Sequence, residues 1–196
     1  MFVFRLLLLS VILFSAQSHA SAQGYPPPID LGITNITQQT NVWCWVAVVE
    51  QVAHWKHGTH PSTAPHQCEL VSTANSDPAP HCCSGNPAFA HKCVRTGHTN
   101  EIMGLLHYTG SGYASYNPPA NPMVLYNTLA SNRPIILELK TTPYSGHVVV
   151  LRGMAWQPGP YGIEPVLLIN DPLSYFTTPV PFSQLMPYWS AAIVVN

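Results

Sequence analysis

From residue 42 to 57 the chain reads VWCWVAVVEQVAHWKH, and Trp45, Val49, Val52 and Trp55 fall near one face at a helical period. The spacing predicts a helix that Gly58 stops. Asn100 or Thr99 caps a short second helix over 101–108, ended by Gly110. Asn121 followed by Pro122 opens a third helix to about Ser131, because proline suits the first helical position. Past Arg133-Pro134 the pattern changes to short β-branched and Leu-rich runs at 135–140, 147–154, 165–170 and 191–196, separated by turn clusters. A short helix is expected near 182–188. Helices first and strands second indicate an α+β fold. Residues 23–37 form an extended, Pro-rich lead-in, and 72–93 (STANSDPAPHCCSGNPAFAHKC) are turn-rich with little period. No repeat or linker divides 23–196, which is read as one domain, with a helical lobe over about 38–132 and a β lobe over about 133–196.

Residues 1–22 stand apart from this pattern. Arg5 supplies a positive start, 6–14 are apolar except for Ser10, and Ala20-Ser21-Ala22 offers an A-x-A cleavage site. The apolar run is too short to span about 30 Å of hydrocarbon, so it reads as a cleaved signal peptide. A secreted or periplasmic chain with no membrane attachment is expected. Only about 21 residues then precede Cys44, too few for a long inhibitory pro-domain. Control is therefore expected from redox state, pH or a separate protein inhibitor.

Charge narrows the function classes. Of 196 residues only 8% are charged, 7 Lys plus Arg against 8 Asp plus Glu. Nucleic-acid binding needs a basic patch that this chain lacks, and disorder needs the opposite balance of charge and hydrophobicity.

The cysteines are Cys44, Cys68, Cys82, Cys83 and Cys93. Export favours oxidation, so four pair and Cys44, alone upstream, stays free. Adjacent Cys82 and Cys83 are poorly placed to bond each other, which leaves two connectivities open. Seven histidines between 54 and 98 raise the alternative of a structural metal. No regular zinc-ligand spacing appears among them, so disulfides are preferred and neither metal nor cofactor is expected.

Cys44 falls in the first turn of its helix, where the dipole and free N–H groups favour an anion. A thiolate nucleophile needs a base, the base an orienter, and the oxyanion formed on attack needs donors. Gln38 precedes Cys44 by one loop and can fold back towards the thiol. His147 opens a strand, and Asn170-Asp171 closes another that can lie antiparallel to it.

The series QQTNVWCWVAVVEQV, C…CC…C, RPIIL, GHVVVLRG and NDP resembles the papain-like cysteine peptidase superfamily. It is most similar to the compact bacterial branch that includes secreted effector proteases and relatives of bacteriocin-leader peptidases. The resemblance implies a helical lobe packed on an antiparallel sheet with a cleft between. It implies Cys44 as nucleophile, His147 as base and then acid, Asp171 as orienter with Asn170 its rival, and Gln38 as oxyanion donor beside the Cys44 N–H. The plant-type C-G-S-C-W signature is replaced by Asn41-Val42-Trp43 before Cys44-Trp45. The implied activity is a cysteine endopeptidase acting on a protein or peptide through an acyl-enzyme. A peptidoglycan amidase or transamidase using the same site, and a non-catalytic secreted metal-binding protein, are the alternatives. Asn35-Ile36-Thr37 is also a glycosylation sequon.

Overall fold

The computed structural model describes residues 24–58, 64–140 and 146–196; the signal sequence expected at 1–22 lies outside them. The β-rich runs become strands β3 (Ile135–Lys140), β4 (Gly146–Gly159), β5 (Gly162–Asn170) and β7 (Trp189–Val195). Both β4 and β5 extend into the expected turn cluster, where Gly159 pairs with Gly162 across a tight hairpin. Three short strands complete the sheet: β1 (Ile29–Asp30) from the lead-in, β2 (Ala114–Asn117) and β6 (Val180–Pro181). The order is β2-β7-β3-β4-β5-β6 with every pair antiparallel, and β1 adds to β4 where β3 has ended. No side-chain period marks β2 because a four-residue edge strand needs little more than its backbone to pair.

Side-chain alternation explains the layers. Ile136, Val148, Val150, Ile193 and Val195 point to one face of the sheet, where α1 (Cys44–His57), α2 (Gln67–Ala74) and α4 (Thr99–Tyr108) cover them. Ile135, Leu137, Val149, Leu151 and Leu167 point to the other, under α5 (Pro122–Ala130) and α6 (Phe182–Leu185). The fold is α+β, but the division at about residue 133 does not separate its parts. β2 and α5 precede that point in sequence yet belong to the sheet edge and to its far face. The physical reason is that strands apolar on both faces must be covered on both faces.

Residues 64–98, ahead of α4, are more ordered than their composition indicates. Alongside α2 they hold a 3-10 turn at His81–Cys83, a second at Pro87–Phe89 and the short α3 (Ala90–Cys93). The missed start positions are histidines: His66 stands at the N-cap of α2 and His98, in place of Thr99 or Asn100, at that of α4. Glu69 and Glu101, three residues on, reach back and accept from the His66 and His98 backbone N–H groups, each at 2.8 Å. Asn121 caps α5 as expected, accepting from the Val124 N–H at 3.0 Å. Of the two open connectivities the structure has Cys68–Cys83 and Cys82–Cys93.

Candidate active site

Cys44 is the free cysteine among the described residues, half-buried at the first position of α1. The preceding residue, Trp43, gives the helix no side-chain cap. The Val46 N–H turns back to the Trp43 carbonyl at 3.2 Å, and the N–H groups of Cys44 and Trp45 remain available to an anion. Both neighbours of Cys44 are pinned by their indoles. Trp43 Nε1 donates to the Cys93 carbonyl at 2.8 Å, and Trp45 Nε1 donates to the Arg95 carbonyl at 3.2 Å. The Arg95 guanidinium lies 4.9 Å over the Trp45 ring. Gly97 closes the other side; a Cβ there would overlap the indole, so only glycine fits. Trp43 and Trp45 are accordingly packing residues, 4% and 2% exposed.

His147 stands near the start of β4 and Asp171 immediately follows β5. The antiparallel register, with Val150 opposite Asn170, brings them together. His147 Nε2 lies 2.6 Å from Asp171 Oδ1, and both side chains are buried. That carboxylate also accepts from the backbone N–H groups of Leu173 (2.8 Å), Tyr175 (2.8 Å) and Phe176 (3.1 Å). Asn170 turns away, its Nδ2 donating to the Ile33 carbonyl at 2.7 Å, so the imidazole's partner is Asp171. Burial opposes the charged imidazole, but hydrogen bonds to Asp171 and Cys44, with the charge on each, outweigh it and raise His147 to about 9. Burial likewise opposes the Asp171 carboxylate. The His147 hydrogen bond, the Leu173 N–H and the imidazolium charge overcome it and lower its pKa. With Nε2 engaged by Asp171, Nδ1 is the atom left for the thiol. The Tyr175 ring lies edge-on to the imidazole, centroids 5.9 Å apart.

Gln38 is buried just before the turn into α1, and its Nε2 donates to the Thr40 carbonyl at 2.5 Å. Thr40 takes one of the two amide protons. Asn41, Val42 and Cys44, which follow Gln38, line the cleft. The Gln38 backbone N–H donates to the Pro172 carbonyl at 3.1 Å, tying the segment before α1 to the residue after Asp171. Asn35 makes a second tie: its Nδ2 donates to the Asp171 carbonyl, and its Oδ1 accepts from buried Gln51 of α1. The sequon asparagine thus has its amide committed to structure.

Cys44 and His147 open on one cleft of about 1120 Å³ between α1, the N-terminal end of α4 and the ends of β3 and β4. Glu138, Tyr116 and Tyr175 also line it. The four remaining cysteines, the alternative metal ligands, are held as disulfides. Among the described residues no group of three or more His, Cys, Asp or Glu is disposed to hold a metal ion. The arrangement can therefore deliver a thiolate, a proton carrier beside it and a buried carboxylate behind. Gly97, Tyr175 and the amide side chains around Gln38 have no signal in a single sequence, because each acts through an interaction with a distant segment.

The family model described as "Papain-like cysteine protease AvrRpt2" matches residues 29–180. No curated protein matches the sequence. Among solved structures the fold is similar to a protein described as a C39-like peptidase from Bacillus anthracis, with TM-score 0.55, 14% identity, and coverage of 87% of this chain and 98% of that one. It is also similar to the peptidase domain of Streptococcus ComA, a bi-functional ABC transporter of a quorum-sensing pathway. There the TM-score is 0.51 and the identity 15%, with 84% of this chain and 98% of that one covered.

Proposed function

The chain belongs to the AvrRpt2 family of papain-like cysteine proteases, and from that premise we propose that it is a secreted endopeptidase acting through a Cys44 acyl-enzyme. The observation that carries the reading is the line from Cys44 through His147 to the saturated carboxylate of Asp171. In the proposed reaction the Cys44 sulfur attacks the scissile carbonyl carbon. The oxyanion takes hydrogen bonds from the Cys44 N–H and from the second Nε2 proton of Gln38. His147 gives its proton to the leaving amine, the C–N bond breaks and a thioester forms. His147 then takes a proton from water, whose oxygen attacks the thioester and releases the acid. Asp171 holds the imidazole in place throughout.

The size of the cleft, above the usual 300–1,000 Å³ of small-ligand pockets, supports a polypeptide substrate bound along its length. The two disulfides and the export signature of 1–22 support work in an oxidising compartment. Cys44→Ala should abolish casein hydrolysis and iodoacetamide labelling with the fold intact, and turnover that survives this change sinks the proposal. Purified muropeptides, tested in parallel, separate peptidase from amidase. Gln38→Ala should lower kcat by roughly 10²–10³. A larger loss at exposed Gln39 would transfer the oxyanion role to that residue.

A further inference from the structure

Gln67 is fully buried at the start of α2, far in sequence from every group assigned to the chemistry. Its side-chain amide makes three hydrogen bonds. Oε1 accepts from the Gln39 N–H at 2.8 Å, and Nε2 donates to the Thr37 carbonyl at 3.0 Å and to Glu50 Oε2 at 2.9 Å. Thr37 C=O and Gln39 N–H belong to the two peptide planes on either side of Gln38. Holding both planes from one rigid amide sets the backbone of Gln38, and with it the direction of its side chain. Glu50 anchors the clamp to α1, the helix that carries Cys44, and is itself 3% exposed. The Cys68–Cys83 bridge, one residue along, ties α2 down. Only a primary amide fits all three partners: one acceptor faces an N–H, and two donors face a carbonyl and a carboxylate.

We propose that Gln67 is a positioning residue for the oxyanion site, clamping the peptide groups flanking Gln38 against α1. The proposal rests on Gln38 being the oxyanion donor. It predicts that losing the clamp slows reactions passing through a tetrahedral oxyanion and spares those that do not.

Two reactions of Cys44 make that distinction. Acylation by p-nitrophenyl acetate forms an S–C bond, passes through an oxyanion and expels p-nitrophenolate. Alkylation by iodoacetamide displaces iodide at a saturated carbon and forms none. In Gln67→Met, acylation should fall roughly 10–100-fold, the scale of loss when a reacting group is misplaced by about 1 Å. Alkylation should stay within about threefold of wild type, a change worth less than the factor of ten that 1.36 kcal/mol represents. Combining Gln67→Met with Gln38→Ala should add nothing to the loss from Gln38→Ala alone, since both remove one function. If Gln67→Met does not fold, Gln67→Asn serves: it keeps the acceptor and both donors but withdraws them by one methylene. Acylation and alkylation falling together, or losses that multiply in the double variant, overturn the clamp. Unchanged acylation in Gln67→Met beside a loss in Gln38→Ala overturns it too. Unchanged acylation in Gln38→Ala instead removes the oxyanion reading on which the clamp depends.

Discussion

Around His147 and Asp171 the chain is held by an antiparallel ladder in which Val149 and Leu151 face one apolar layer while Val148 and Val150 face the other. Around Cys44 the supports are of another kind: two disulfides, two indole N–H bonds to the carbonyls of Cys93 and Arg95, and buried amides reaching across from α1 and α2. The ladder repeats one interaction many times, so trimming one apolar side chain leaves its geometry intact. The Cys44 side uses each support once. Removing one hydrogen bond there leaves an unpaired buried group and a displaced loop. The two halves of one site should therefore fail differently, the sheet half in stability and the helix half in activity.

The exception inside the sheet half is Asp171, which serves four donors at once, and there the contrast meets its most severe test. Asp171→Ala should cost about 3–5 kcal/mol, as removal of one partner from a buried pair does, and also suppress turnover. Urea unfolding and kcat measured together check this. The same pair gives a pH signature. The raised His147 value means its contribution to stability is complete below the ordinary 6.5 and is lost as pH climbs through about 9. The lowered Asp171 value places its contribution above the ordinary 3.8, and it is lost as pH falls through the folded value. The stability gap between wild type and His147→Ala should therefore narrow as pH rises through about 9, read as urea midpoints from pH 6 to 10.

Opening Cys82–Cys93 by Cys→Ser changes at both positions should cost about 2–4 kcal/mol. It should also lower kcat in the remaining folded protein, because the Cys93 carbonyl anchors Trp43 beside the nucleophile. Full activity in that variant would show the helix half to be as forgiving as the sheet. Gly97→Ala drives a methyl into the Trp45 ring and should cost about 1–3 kcal/mol while shifting the rate of Cys44 alkylation. The smallest effect belongs to Ile136→Val in the sheet, about 0.5–1.5 kcal/mol with kcat unchanged. A kcat change there would erase the contrast between the halves.

The long apolar elements were legible in the sequence: α1 by the helical spacing of Trp45, Val49 and Val52, although Trp45 through Ala53 are buried all round, and the four long strands by their apolar runs. The order of Cys44, His147 and Asp171 was legible as well, and the register of β4 on β5 sets the last two together. α2, β1 and β2 were not, because a helix with histidine at its N-cap and two- or four-residue edge strands carry no period. Asn170 stayed a rival to the preferred Asp171, since neighbours at a strand end differ only in which way each side chain turns.

Composition and local spacing were enough to establish where apolar surface must be buried, which thiol is left without a partner and which residues are chemically able to act on an acyl bond. That Cys68 bonds Cys83, that Gly97 seats Trp45 and that Gln67 reaches both sides of Gln38 emerged only once the chain was folded. Each of these is a short-range interaction between segments far apart in the chain. Its energy depends on angles and distances of a few ångströms, which no one-dimensional pattern encodes.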